Sequence, residues 1–427
     1  MPSAAQQRET GRFGKYRLID RIAVGGMAEI FLAFQQQGDG RESPVVIKRI
    51  RPHLSKHAAF VKMFLNEARL AAQLNHPNVV QIFDLGKIAE SHFIAMEYVA
   101  GRDMRRVVPK AEALGIAFPL VYAVKSASCV CAGLHHAHTK ADLHGNPLNI
   151  VHRDVSPENI IVSFDGSVKI LDFGIAKATN QVEQTRTGEI KGKVSYMSPE
   201  QCMGKTLDCR SDVFSLGVVL YEWLTGFKLF TGETEVAVMR GITEGKIYAP
   251  SYFREDLPER LEAILMKALE RDKDKRYQTA EQLGQDLDAF LAAYDFTPTS
   301  LHLANFLKQL FDEELQEEQR RMAARTSAPT SEEALELSEV VASLDTERGL
   351  PAPAPVGPPP AAPGDESASD VETGPHPAVG DARTEPRMVA VPLSPGVYEA
   401  LEAIARRNGV SPGQVVSELL ESWLRYR

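Results

Sequence analysis

Asp154 and Asn159 stand five residues apart in the stretch VHRDVSPENII (151–161), and Asp172 follows in LDFGIAK (171–177). Upstream, Lys48 lies in the β-branched run VVIKRI (45–50) and Glu67 in FVKMFLNEARLAAQL (60–74). In that last run Phe60, Phe64, Glu67, Ala71 and Leu74 share one helical stripe, so Glu67 falls on the face expected to be buried. A buried carboxylate needs a partner, and Lys48 is the candidate. Two carboxylates, an Asn and a Lys–Glu pair match what phosphoryl transfer from Mg-ATP requires. The metal needs hard oxygen ligands, the nucleophile needs an acceptor for its proton, and the phosphates need a fixed positive charge.

These residues need elements to hold them. Residues 13–100 alternate short strand-like runs with one long helical pattern, and 118–295 are mostly helical with Gly and Pro punctuation. Between the first two strand-like runs lies IAVGGMAEIF (22–31), where Gly25 and Gly26 would let the backbone approach phosphates without interference from a Cβ. DVFSLGVVLYEWL, opened by Asp212, is apolar nearly all round and belongs at the centre of a lobe.

With the motifs in this order, residues 13–295 resemble a bacterial serine/threonine protein kinase of the eukaryotic-like superfamily. The resemblance implies an α+β, two-lobed kinase fold: a small antiparallel β lobe with one helix (13–100) and a large helical lobe (101–295). It also implies roles. Lys48, paired to Glu67, would hold the α- and β-phosphates. Asp154 would orient the substrate hydroxyl and accept its proton. Asn159 and Asp172 would bind Mg2+ or Mn2+. Ala23, Val24, Gly25, Gly26, Met27, Ala28 and Ile30 would cover the nucleotide, with Val46 against the adenine. Glu97-Tyr98-Val99 would be the hinge offering backbone groups to adenine, and Met96 would guard the back of that slot. Glu200 would pair with Arg276. Arg153, beside Asp154, is typical of kinases switched on by activation-loop phosphorylation, which makes Thr185 and Thr187 the candidate phosphosites.

The chain departs from the family pattern at several of these positions. Ala23 and Ala28 stand where the first and third loop glycines are expected, and a stiffer loop follows. Val46 replaces the usual Ala and narrows the adenine slot. Ser156 stands where the catalytic-loop Lys is expected, and Lys193, in KGKVSYMSPE, stands where a Thr is expected. Hydroxyl and ammonium have changed places, so Lys193 is expected to supply the charge that Ser156 cannot. The alternative is a solvated Lys193 and weaker catalysis.

The remaining features are bounded more loosely. At 427 residues the chain suggests two or three domains. A net charge of -9 argues against a generally basic nucleic-acid coat. No run of eighteen apolar residues and no apolar leader occurs, so a cytoplasmic protein without a membrane anchor is expected. Cys129, Cys131, Cys202 and Cys209 form no CxxC pair and are expected to be reduced thiols. His135 and His138 lie three apart on a helix, but no third ligand is spaced for zinc. His144 falls in an insertion read as a surface hairpin or loop.

After the 1–12 N-terminus and the kinase-like region comes a helix-prone, charged extension (296–347). A Pro-rich stretch (348–386) follows, with ten prolines between 351 and 386, and it reads as a disordered linker. Residues 387–427 are apolar and periodic again. Val389, Val391 and Leu393 alternate with Met388, Ala390 and Pro392, and two short amphipathic helices follow. One strand and two helices cannot bury their stripes alone in so few residues. This unit resembles a ribbon-helix-helix, which folds as an intertwined dimer. Its outward Met388, Ala390 and Pro392 cannot donate to base edges, and its net charge is only +1, so homodimerisation is expected over DNA binding. Docking of the pair on the kinase lobe is the other option. A pseudokinase scaffold and a kinase-linked DNA-binding regulator stand as the alternatives for the whole chain.

Overall fold

The computed structural model describes residues 11–38, 40–173, 193–294 and 296–326, with backbone alone for 321–326. The chain divides into two units, Met1–Ala328 and Pro329–Arg427, and the described residues all belong to the first. Thr185, Thr187, the linker 348–386 and the unit 387–427 lie outside them.

Six strands form one antiparallel sheet: β1 (Gly11–Phe13), β2 (Tyr16–Val24), β3 (Ala28–Gln36), β4 (Glu42–Ile50), β5 (Ile82–Ile88) and β6 (Ser91–Glu97), in the order β1-β2-β3-β4-β6-β5. The two-residue side-chain period sorts β4 between two cores. Val45 and Ile47 pack with Tyr16, Phe31 and Phe93, while Ile50 packs with Phe64 and Ala68 of helix α1 (Ala58–Ala71). Lys48 shares the face of Val46 and Ile50 and therefore looks toward α1. The sequence stripe ran on to Leu74, but the helix closes at Ala71 with Ala72 as its cap. Leu74 is still fully buried, against Val79 and Phe173, because the chain turns into the second lobe there.

That lobe is helical around a three-stranded sheet of β7 (Gly101–Asp103), β8 (Ile160–Ser163) and β9 (Val168–Ile170). Its helices are α2 (Met104–Ala113), α3 (Leu120–His138), α4 (Pro199–Cys202), α5 (Cys209–Thr225), α6 (Glu235–Glu244), α7 (Glu259–Ala268) and α8 (Ala280–Ala292). Helix α5 is buried along nearly its whole length, as its all-round apolar character requires. Asp208 caps its start by accepting from Arg210 N, and Gly226 ends it in the left-handed conformation (φ 77°). His144 sits in a short loop closed by the Ala141–Pro147 bridge, where Asp142 accepts from the backbone N–H of His144 and of Asn146.

Two further helices, α9 (Ser300–Leu310) and α10 (Asp312–Thr326), belong to this core. Leu303, Ala304, Leu307, Leu310 and Phe311 are all buried. Gly166 (φ 84°) lets β8–β9 approach α9 closely: a Cβ there would lie 1.8 Å from Ser300 O. Helix α10 also carries charges onto the chain just past residues 97–99. Glu318 pairs with Arg102 at 2.9 Å, and Glu314 pairs with Arg106 at 2.8 Å and Lys110 at 3.1 Å. The Arg102 guanidinium lies over the rings of Phe164 and Phe311. Among the described residues no helix is long and apolar enough to cross a membrane.

Candidate functional site

The site lies where β4, α1 and the loops flanking β8 and β9 converge. Lys48 Nζ contacts Asp172 Oδ1 at 2.8 Å. Burial works against the Lys48 charge, but Asp172 and Glu67 outweigh it, so its pKa is raised and it stays an ammonium. Lys48, Glu67 and Asp172 line one small cavity of about 30 Å³ with Phe64, Met96 and Phe173. Val46 stands directly opposite Met96 across the β4–β6 ladder, which places the two expected adenine neighbours side by side. Glu97 N donates to Gln81 O, and its carboxylate is held by Lys169 at 2.9 Å. In the turn between β2 and β3, Gly25 N donates to Ala28 O at 2.9 Å, and Ala23 pairs with Ile30. Neither alanine nor Gly25 adopts a positive φ, so the stiffening expected from Ala23 and Ala28 does not come from a left-handed backbone.

Two site residues do hold that backbone. Arg153 has φ 66° and Asp172 φ 46°. Such conformations cost about 1–3 kcal/mol each and persist only where neighbours over-determine them. For Arg153 the determinant is Asp212 in α5, which is 1% exposed. Its carboxylate accepts from His152 N (2.7 Å), Arg153 N (2.9 Å) and His138 Nε2 (2.7 Å). Gln201 Nε2 donates to Arg153 O from the other side. Burial alone would raise the Asp212 pKa, but His138 and His152 outweigh it and the carboxyl lies below its ordinary value. In the sequence Asp212 stands out only as the start of a buried helix. The available signal was an ionisable residue inside an otherwise apolar run, which demands partners. His138 is taken up by this carboxylate, while His135 faces Glu281 at 3.6 Å, so the two histidines serve separate partners.

Asn159 links the two carboxylates. Its Nδ2 donates to Asp154 O (2.7 Å) and Oδ2 (3.0 Å), and its backbone O accepts from Leu171 N, next to Asp172. With both amide hydrogens directed at Asp154, the carbonyl end of the side chain remains as an acceptor. Phe173 is buried against the His152 ring, at a centroid separation of 4.6 Å.

Ser156 is 2% exposed, and its hydroxyl is buried without a hydrogen-bond partner among the described residues. Lys193 instead reaches into the site. Its Nζ lies 3.4 Å from Asp154 Oδ2 and 2.6 Å from Glu158 Oε1. Burial opposes the charge, Asp154 and Glu158 outweigh it, and the Lys193 pKa is raised. Lys193 also works against the Lys48 charge, so the two ammonium groups face one space. Nothing in the sequence pattern marks the contact with Glu158. Behind this strand of chain, Arg276 grips Glu200 through two bonds of 2.7 and 2.8 Å, and Ser211 Oγ donates a third. Burial would raise the Glu200 pKa, but Arg276 outweighs it and the pKa falls.

The protein kinase domain family matches residues 16–287. The chain belongs to this family. It is 45% identical over 318 residues to the tyrosine-protein kinase MasK of Myxococcus xanthus (strain DK1622), covering 74% of this chain and 48% of that protein. It is 36% identical over 278 residues to the serine/threonine-protein kinase PknB of Mycobacterium leprae (strain TN), covering 64% of this chain and 42% of PknB. The chain therefore spans about half the length of these curated relatives, or less. The crystal structure of the Mycobacterium tuberculosis PknI kinase domain shares the fold with a TM-score of 0.50 at 23% identity, covering 66% of this chain and 98% of that one.

Proposed function

We propose that this kinase-family protein transfers the ATP γ-phosphate to serine and threonine hydroxyls of proteins. The observation that carries the reading is the convergence of Lys48, Asp172, Asn159 and Asp154 on one cleft, with Lys48 fixed to Asp172 at 2.8 Å. In this reading Lys48 holds the nontransferred phosphates and is steadied by Glu67. Asp154 accepts the proton of the attacking hydroxyl. The Asp172 carboxylate and the Asn159 carbonyl fit Mg2+, which prefers a few protein oxygens and takes the rest of its shell from phosphates and water. When bound, the ion neutralises charge on the phosphates. Lys193 supplies the cation beside the transferring group that Ser156 cannot, at a place where Asp154 and Glu158 hold it charged. Arg153 and the loop threonines Thr185 and Thr187 would form the activating switch. Residues 387–427 would pair two chains and so raise the local concentration of one kinase at another.

A tyrosine acceptor is the second reading. It is favoured by the 45% identity to MasK, over a match longer than the kinase-domain span itself. One experiment addresses the reaction and both acceptors: transfer from γ-labelled ATP to a mixed protein substrate, with Asp154→Asn as control and acid hydrolysis to identify the phosphoamino acid. Label on serine and threonine, lost in Asp154→Asn, is expected. Label on tyrosine alone overturns the first reading. Nucleotide binding without transfer would make the protein a scaffold. Removal of 387–427 should convert dimer to monomer by light scattering; an unchanged mass refutes the pairing.

A further inference from the structure

Arg102 is an ionisable side chain in surroundings that suit an apolar one. It stands in β7, just past Val99, and is 6% exposed. Its guanidinium lies 5.2 Å from the Phe164 ring centroid and 5.4 Å from that of Phe311. Nη1 donates to Gly101 O at 2.9 Å. Nε and Nη2 are buried and have no hydrogen-bond acceptor in line among the described residues. What they have is charge: Glu318 Oε1 lies 2.9 Å from Nη2, and Glu314 Oε2 lies 3.9 Å from Nε. A buried cation needs such a counter-charge. Both carboxylates come from α10, which lies outside the residues matched by the kinase family, 16–287.

The chain before Arg102 is tied to the same contact. Phe164, whose ring lies against the guanidinium, donates its N–H to Ala100 O at 2.8 Å. Gly101 packs so closely on β8 that a Cβ there would lie 2.2 Å from Val162 O. Residues 97–103 are thus one braced piece, and Arg102 is its anchor to α10. The Glu318 charge reaches residues 97–99 as well: burial first, and then Glu318, push the Tyr98 phenol up, with Arg102 acting against them. On the other side of Arg102, Arg106 and Lys110 stand one helical turn apart on α2, and both meet Glu314. Helix α10 therefore grips the chain on both sides of the β7–α2 junction.

We propose that Glu318 is a positioning residue of the nucleotide site, acting through Arg102 to hold residues 97–99 in the geometry that receives adenine. Without the Glu318 charge, Arg102 is left buried between two rings with only the more distant Glu314, which Arg106 and Lys110 already share. The guanidinium then turns toward water, and the strand that carries it follows. The loss falls on nucleotide binding and spares transfer, because Lys48, Asp172 and Asp154 are held by other partners. The ligand in this inference rests on the kinase reading.

The test titrates the full chain with the fluorescent nucleotide mant-ADP and Mg2+. The Glu318 side chain is 46% exposed, so its variants are expected to fold. Glu318→Ala should weaken binding roughly fivefold, Glu318→Gln by about as much, and Glu318→Asp, which keeps the charge, by less. In phosphotransfer the KM for ATP should rise by the same factor while kcat stays within about twofold. Glu313→Ala removes an equal charge from an exposed position of α10 and should change neither. The ratio of parent to variant affinity should shrink as salt is raised to about 0.5 M. A lower thermal midpoint with parental nucleotide affinity overturns the proposal, because the contact is then a staple alone. An equal loss in Glu313→Ala, or a loss confined to kcat, overturns it too. Nucleotide binding without phosphotransfer by the parent chain refutes the kinase reading, while the affinity comparison still reports. A parent chain that binds no nucleotide overturns both.

Discussion

Replacing Lys193 by Thr removes a cation held 3.4 Å from Asp154 Oδ2 and 2.6 Å from Glu158 Oε1. A transferring phosphoryl group beside Asp154 would lie at a similar range. Two unit charges about 4 Å apart interact by about 4 kcal/mol at an effective dielectric constant near 20. The Lys193 side chain is 38% exposed, so solvent screens part of that field. Halving the figure leaves about 2 kcal/mol, or roughly 30-fold in rate. Single-turnover phosphotransfer at saturating ATP reads this directly. The expected pattern is a fall of that size in the chemical step with little change in ATP affinity, since Lys48 and Asp172 are untouched. Ser156→Lys added to Lys193→Thr should restore part of the loss, because the cation then returns from the other side of the same contact. A single Lys193→Thr variant within threefold of the parent rate would refute the charge exchange, and so would a double variant slower than the single one.

Three other outcomes follow from the scaffold. Arg276→Ala strands the buried Glu200 carboxylate and should cost about 3–5 kcal/mol of stability, read as a lower urea midpoint. Asp212 has a folded pKa below its unfolded one, so its contribution is present above the unfolded value and is lost as pH falls through the folded value. Asp212→Asn should therefore lower stability at neutral pH and flatten the acid limb of a stability–pH curve; an unchanged limb would contradict the assignment. Gly166→Ala forces a Cβ against Ser300 at a positive φ and should destabilise by about 1–3 kcal/mol, seen as a lower thermal midpoint.

The residues that act locally were legible. Asp154, Asn159 and Asp172 lie in short motifs, and the periods of β4 and α1 turn Lys48 and Glu67 toward the one cavity that both line. Contacts made over long sequence separations were not. Asp212 lies about sixty residues from the backbone it holds, and nothing in a linear reading says which loop a buried carboxylate will serve. The resemblance puts Lys193 beside Asp154, yet its shorter contact is to Glu158, which no motif marks. Leu74 continued the helical stripe in sequence but not in space, because helix termination is decided by where the chain must go next. The Glu314 and Glu318 contacts had no signal at all: a charged helix looks solvated until its partners are known.

Those contacts bear on how such a catalytic unit travels between genes. Recombination that cut the coding sequence at residue 287 would keep every residue of the cleft. It would also uncover Arg102 and leave Gly166 facing water where α9 belongs. A portable unit must carry α9 and α10 with it, so viable fusion points are expected only beyond residue 326.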